Sequence, residues 1–474
     1  MLVLSRIAVV TALLLVSTGP AYSQLSFDPS NPEESGVDGQ LITSLADAIS
    51  AGTFREVHGL LIVRGGKVLH ESYYSGNRDY FDDNLNRVTP GDTLWDASMP
   101  HYVASVTKSM TSAAVGIALA DHAVSVDSTV RDLIPNYRNR FFGLRETGIT
   151  VRHLLTMTGG HEWDEWNTDD LTQMWRSGQD FIHFALAPAM AHDPGTFWRY
   201  NSGEANVLMG VVDALSGDAA GFIQERLFDP LEIGDYEWRT QPGGLPEAAA
   251  RLFMRPRDLA KVGQLYLNRG LWNGEQVIPE AWVDSSLAVQ VSTQPLTEWD
   301  YGYLWWVKTV DYSQNGVRRT QQYFAAEGDG GNLIAVFPGV DLAVVVTQGN
   351  YSDFGTYDCQ NRQILADYIL PAVNDLSIGI EEGPAEMIRQ DDLSIDVFPN
   401  PAPGRTTIRY SVSGTGPLVV QIWDVLGREV ARLAELRSGS NQLTIETGDL
   451  PTGTYLARVG QGSRAVSQPL VLVR

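Results

Sequence analysis

The 474-residue sequence has one cysteine, Cys359, which excludes an intrachain disulfide and any metal centre built from several cysteines. Basic residues are scarce. Lysine and arginine together number 34 against 57 acids, a formal charge of −23, and so acidic a surface makes nucleic acid an improbable partner. Only 19% of the residues are charged and 43% are hydrophobic, which excludes both a disordered chain and a membrane bundle. A chain of this length holds one large domain and a smaller one, each kept together by packing.

Long apolar runs are lacking except at the start. Arg6 precedes the run from Ile7 to Val16, which is too short to span a bilayer comfortably, and Ala21-Tyr22-Ser23 follows with the small-x-small pattern of a signal peptidase site. Residues 1–23 are therefore expected to be a signal peptide, with the mature chain starting at Gln24 and no transmembrane segment in it. Residues 24–40 are a polar, Pro-containing lead-in.

From residue 41 the pattern turns structural. The segments Gly59–Val63 and Lys67–Tyr73 predict two strands joined at Arg64-Gly65-Gly66 by a hairpin turn. Ser105 to Leu119 suits a helix whose small residues allow close packing. The middle of the chain is expected to be mostly helix and loop. Strands return at Phe324–Ala326, Leu333–Val336 and Leu342–Val346, followed by a closing helix over about 361–370. This order predicts an α/β domain over 41–374: a mixed sheet flanked by helices, with a helical lobe beside it. The acidic stretch 375–396 is a linker candidate. The short alternating segments of 397–474 predict a small β-sandwich.

The strongest chemical feature is Ser105-Val106-Thr107-Lys108 at the start of the small-residue helix. Positions i and i+3 lie on one helix face with Cβ atoms about 5–6 Å apart, so the amine can reach the hydroxyl. A free serine is a poor nucleophile, and a lysine held in a cleft can accept its proton. The first helical turn also turns backbone N–H groups toward an oxyanion formed at the serine. Two further elements fit this chemistry. Tyr200, in Arg199-Tyr200-Asn201-Ser202-Gly203, offers a second proton carrier. The run Glu327-Gly328-Asp329-Gly330-Gly331-Asn332 can bring backbone donors close to a substrate.

In this order Ser-Val-Thr-Lys-Ser, Tyr-Asn-Ser-Gly and Gly-Asp-Gly-Gly-Asn resemble the serine β-lactamase-related hydrolases. That group includes class C β-lactamases, D-alanyl-D-alanine peptidases, esterases and 6-aminohexanoate-dimer hydrolases. The resemblance runs over about 41–372 and is also carried by Leu154–Gly160, Met254–Gly263 and Trp272–Pro279. It implies a β-lactamase/transpeptidase-like fold with an antiparallel sheet. Ser105 would be the acylated nucleophile, Lys108 its proton acceptor and Tyr200 a proton relay to the leaving group. The backbone N–H groups of Ser105 and Gly331 would hold the oxyanion, with no metal or organic cofactor. Two departures bear on substrate. Asparagine directly follows the tyrosine instead of standing two residues on. The third motif reads Gly328-Asp329-Gly330 without the usual cation, so a substrate carboxylate would meet Glu327 and Asp329. These features favour a small ester or amide, as in the hexanoate-dimer hydrolase branch, over a β-lactam or a peptidoglycan carboxylate. The alternatives are a β-lactamase or D-alanyl-D-alanine carboxypeptidase, or a noncatalytic surface-binding protein on the same fold.

Other conspicuous residues are expected to be structural: His153 and His161, and Cys359 as a buried residue ahead of the last helix. Trp163, Trp166, Trp305 and Trp306 suit either packing or an apolar acyl cleft. The C-terminal module, through Val397-Phe398-Pro399-Asn400-Pro401, Ile422–Val430 and Leu450–Tyr455, resembles a type A sorting domain of the type IX secretion system. This implies Sec export and passage through the periplasm to the cell surface or medium.

Overall fold

A computed structural model describes residues 25–374, except 29, 85, 166 and 295, together with seven strands between 394 and 472. The signal peptide reading and residues 375–393 of the linker reading lie outside the described residues. The chain divides into two compact units, with the division at Leu376.

The first unit is built on an eight-stranded antiparallel sheet. Its strands are β1 (Val57–Arg64), β2 (Lys67–Tyr73), β3 (Val291–Ser292), β4 (Asp300–Tyr301), β5 (Trp306–Gln314), β6 (Val317–Gly328), β7 (Asn332–Phe337) and β8 (Leu342–Gln348). Their spatial order is β3-β4-β5-β6-β7-β8-β1-β2, so the first hairpin of the chain pairs with its last strand. The β1–β2 hairpin turns where expected, at Gly65 and Gly66, with φ of 59° and 71°. Two consecutive positive φ values suit the right-handed twist of a two-residue hairpin.

Both faces of the sheet are covered. Five helices are named here: α1 (Gly39–Ser50), α2 (Thr107–Asp121), α3 (Ser202–Ser216), α4 (Pro256–Leu267) and α5 (Phe354–Gln363). Alternate residues of β1 feed opposite cores, as the two-residue period of a strand requires. Leu61 and Val63 join the core beneath α2, α3 and α4, whereas Leu60 and Ile62 join the core made with α1 and the turns that follow α5. Burial on both faces explains why β7 and β8 read as continuous apolar runs. In α4, Gly263 lets the helix lie close on the sheet: an added Cβ would stand 3.1 Å from the Ala343 methyl and 3.2 Å from Ile334 Cγ2.

Three expectations need adjustment. The closing helix begins at Phe354, earlier than anticipated. The long β5–β6 hairpin occupies sequence expected to be helix or loop. Its outer half, with Asp311, Arg318 and Thr320 exposed, lacks an apolar run because it reaches into solvent. The second unit holds two antiparallel sheets, one of three strands and one of four, with Ile408, Val420, Ile422, Ala457 and Leu470 buried. Its first strand, Ser394–Phe398, begins inside the stretch expected to be linker.

Candidate active site

The segment entering α2 is strained before it becomes helical. Ala104 has φ 46°, a left-handed conformation that costs a residue with a side chain about 1–3 kcal/mol. A short 3-10 turn over Ala104–Val106 follows, so Ser105 sits at the mouth of the helix, half-buried. One turn on, Lys108 is only 1% exposed. Its Nζ donates to Ser105 Oγ at 3.1 Å and to the Ala249 carbonyl at 3.0 Å. It lies 4.7 Å from the centre of the Tyr200 ring. The expected trio Ser105, Lys108 and Tyr200 is therefore assembled in one place, although Tyr200 stands far along the chain, just before α3. The Tyr200 ring in turn stacks on Trp306 at 5.8 Å, with 11° between the planes.

Two carboxylates that sequence reasoning passed over hold this trio. The buried Glu247 accepts from the N–H groups of Ala249 (3.2 Å), Ala250 (2.7 Å) and Arg251 (3.0 Å), folding the loop that presents the Ala249 carbonyl to Lys108. Glu165 accepts from Trp163 Nε1 at 3.0 Å and from the Ser202 N–H at 2.5 Å, where α3 starts. Burial pushes the Glu165 carboxyl up, and the Lys108 charge opposes that shift. No local signature marks Glu247. Glu165 had one signal, its place between Trp163 and Trp166.

Facing Ser105 is the β6–β7 turn. A Cβ on Gly328 would stand 2.1 Å from the Val103 carbonyl oxygen and 3.1 Å from the Ser105 nitrogen, so only glycine fits there. The Gly331 N–H, expected to serve as a free oxyanion donor, instead closes the turn on the Gly328 carbonyl at 3.1 Å. That corrects the expectation. Because the Gly328 carbonyl points into the turn, the trans peptide directs the next N–H, that of Asp329, outward to the opposite side. The Asp329 carboxylate is turned away and accepts from the Ser352 N–H at 2.9 and 3.1 Å; burial raises its pKa.

Residues 45–366 match the β-lactamase family profile. The chain belongs to the β-lactamase family. Among its relatives is a 6-aminohexanoate-dimer hydrolase from Paenarthrobacter ureafaciens, 24% identical over an alignment of 302 positions that covers 59% of this chain and 71% of the relative. A penicillin binding protein from Bacillus halodurans shares the fold with a TM-score of 0.51 and 18% identity, covering 68% of this chain and 99% of that one. Simvastatin synthase from Aspergillus terreus does so with a TM-score of 0.51 and 17% identity, over 70% of this chain and 97% of that one. Residues 396–473 match the secretion system C-terminal sorting domain, which points to secretion or the cell surface. Among the described residues no single helix is long and apolar enough to cross a membrane.

For this β-lactamase-family hydrolase, the surroundings of the third motif differ from the sequence reading in one respect. A cation does stand beside Glu327, but it comes from the adjacent strand: Lys308 Nζ is 2.7 Å from Glu327 and 3.5 Å from Asp358, and 3.6 Å from the centre of the Trp299 ring. Arg362 Nε also pairs with Asp358 at 2.9 Å, so two cations match the two carboxylates and Lys308 is already engaged. The tryptophans divide by role. Trp306 walls the site beside Tyr200, whereas Trp305 is fully buried against Tyr266 and Trp163 packs in a side core with Trp175 and Phe181. Trp166 lies outside the described residues. His153 caps the short helix at Thr150, and burial pushes the His161 imidazole down to about 4. Cys359 lies within α5, not before it, and is exposed rather than buried, because Gln360 and Asn361 form the face that α5 turns inward.

Proposed function

We propose that this chain is an exported esterase or amidase that cleaves a small ester or amide through an acyl-enzyme on Ser105. The observation that carries this is the 3.1 Å contact between Lys108 Nζ and Ser105 Oγ, with the Tyr200 ring against the same nitrogen. With Lys108 in its neutral form, Nζ takes the hydroxyl proton as Oγ bonds to the carbonyl carbon. The carbonyl electron pair moves onto oxygen, where the N–H groups of Ser105 and Asp329 hold it, Asp329 replacing Gly331 in this role. As the tetrahedral intermediate collapses, the leaving alcohol or amine receives its proton by way of Tyr200. Water then repeats the sequence and releases the acid.

Lys308 is already paired with Glu327 and Asp358 and offers no free charge to a substrate carboxylate beside this turn, which supports esters and amides over β-lactams. The aromatic wall of Tyr200 and Trp306 suits an apolar acyl or alkyl group. We assign residues 1–23 to a Sec signal, 41–374 to the hydrolase and the region from 394 onward to type IX sorting through the periplasm.

The test uses the mature chain from Gln24 and its Ser105→Ala variant, with a fluorophosphonate probe followed by p-nitrophenyl esters, anilides and nitrocefin. Labelling at Ser105, with ester or amide turnover absent from the variant, is expected. Nitrocefin turnover exceeding that of the esters would overturn the substrate assignment. A folded protein that neither labels nor turns over any of them would be a binding protein.

A further inference from the structure

Behind the nucleophile lies a buried chain of titratable groups that the reaction above does not use. His58, on β1, is 1% exposed, as is His101. Glu56 Oε2 stands 3.1 Å from His58 Nε2, His58 Nδ1 is 2.8 Å from His101 Nε2, and His101 Nδ1 is 3.0 Å from the Tyr102 carbonyl oxygen. Trp95 stacks against both imidazoles, at 5.0 and 4.7 Å. Gly76 and Gly349 close the sides, since a Cβ on either would come within 2.6 Å of the His58 ring. The charged groups facing the pair are Glu56 and, farther off, Asp79 and Asp92.

Proton counting constrains this chain. It ends on two acceptors, a carboxylate and a carbonyl, and it contains three hydrogen bonds, each needing one proton. Two neutral imidazoles carry only two N–H groups. The closed chain therefore holds one proton more than an ionised Glu56 and two neutral histidines, and with that proton the buried unit is electrically neutral. Without it, one contact becomes two opposed lone pairs, and the Glu56 carboxylate keeps its two Asn77 donors but no balancing charge. Burial lowers both imidazoles, and the Glu56 carboxylate opposes this at His58.

The far end of the chain touches the site. The Tyr102 carbonyl also accepts from Tyr351 Oη at 2.9 Å and from Asn332 Nδ2 at 3.3 Å, and the same amide reaches the Asp329 carbonyl at 2.9 Å. Tyr102 leads directly into Ala104 and Ser105. One carbonyl thus ties together the segments bearing the two proposed oxyanion donors, Ser105 and Asp329.

We propose that Glu56, His58 and His101 form a proton-dependent positioning relay that holds the Tyr102 carbonyl, and through it the oxyanion site. The inference rests on the hydrolase reading above for its catalytic consequence but not for its protonation chemistry. Rising pH removes the shared proton, opens one contact and misaligns the two donors, reducing kcat by about tenfold while KM stays nearly constant. Glu56→Gln separates this from a merely structural role. Glu56 Oε2 also accepts from the Asn77 N–H at 2.8 Å and from Asn77 Nδ2 at 2.7 Å, so a glutamine keeps its amide oxygen there; the chain still needs its third proton, now without the carboxylate charge that balances it.

The test is imidazole NMR of the full mature chain between about pH 5 and 9, alongside pH profiles of kcat for a p-nitrophenyl ester. In the wild type, His58 and His101 are expected to titrate together as one proton, in step with a fall in kcat as the pH rises. In Glu56→Gln, which lacks the charge that holds the shared proton, the joint titration and its kcat limb are expected to move together to lower pH. Histidines that titrate separately or not at all, or a kcat limb at unchanged pH in Glu56→Gln, would overturn the proposal. His101→Gln adds a second reading: lower kcat at unchanged KM is expected, and unchanged kcat in a folded variant also overturns it. A chain without hydrolase activity would still show or lack the joint titration, so failure of the hydrolase reading is distinguishable from failure of the relay.

Discussion

The α-carbon of Gly328 rests against the backbone nitrogen of Ser105 so closely that a methyl group there would be 3.1 Å from that nitrogen and 2.1 Å from the Val103 carbonyl oxygen. Both neighbours are backbone atoms, and Val103 is pinned by its N–H to the Leu252 carbonyl at 3.0 Å. Gly328→Ala must therefore push the end of β6 away from the mouth of α2. We expect ester kcat to fall by about 100-fold and stability by about 1–3 kcal/mol, read from steady-state kinetics and urea denaturation. Wild-type kcat would mean that the turn does not serve the oxyanion.

Lys108 is surrounded by the Ser105 hydroxyl, the Ala249 carbonyl and the Tyr200 ring. Lys108→Arg keeps a cation but cannot take a proton at ordinary pH. Both Lys108→Arg and Lys108→Met are expected to lose about 10³-fold in kcat. Arginine rescue of turnover would show that Lys108 acts by charge alone.

Glu204 is fully buried, its Oε1 accepting from the Gly159 N–H at 3.0 Å, and burial raises its carboxyl well above the ordinary 4.5. In the unfolded chain it ionises near that ordinary value, while in the fold it keeps its proton. The unfolded state therefore holds fewer protons above pH 4.5, and stability falls as pH rises. Glu204→Gln should raise the melting temperature at pH 8 by about 2 °C or more and have no such effect at pH 4. An equal change at both pH values would contradict a neutral Glu204.

Lys308 is 2% exposed and stands between Glu327 and Asp358. Removing it leaves Glu327 without this cation, while Asp358 keeps Arg362 at 2.9 Å. Lys308→Met is expected to cost about 1–3 kcal/mol in denaturant unfolding at pH 7. A loss that is unchanged in a Glu327→Gln background would assign the effect to packing of the lysine stem on Trp299.

Where a feature is set by neighbours along the chain, it was legible. The β1–β2 hairpin follows from two apolar runs and a Gly-Gly turn, and the Ser105–Lys108 pairing follows from helical spacing. The β5–β6 hairpin had a local signal that went unused, Asn315-Gly316, whose φ values of 52° and 77° make the expected tight turn. Its exposed charged residues hid the strands on either side.

Sequence by itself determined the order of the chemical groups, the family they belong to and the helix that joins nucleophile to lysine, because these depend on residue type and short spacing. Only the tertiary structure decided which glycine approaches Ser105, which N–H of the turn is already bonded, that Lys308 stands beside Glu327, and that Glu56, His58 and His101 form one chain. Each of those is a contact between segments distant in sequence, set by strand register and by how two layers pack. In Gly328-Asp329-Gly330-Gly331 the glycines differ in sequence only by position. The turn gives one of them a partner and presses another against the nucleophile.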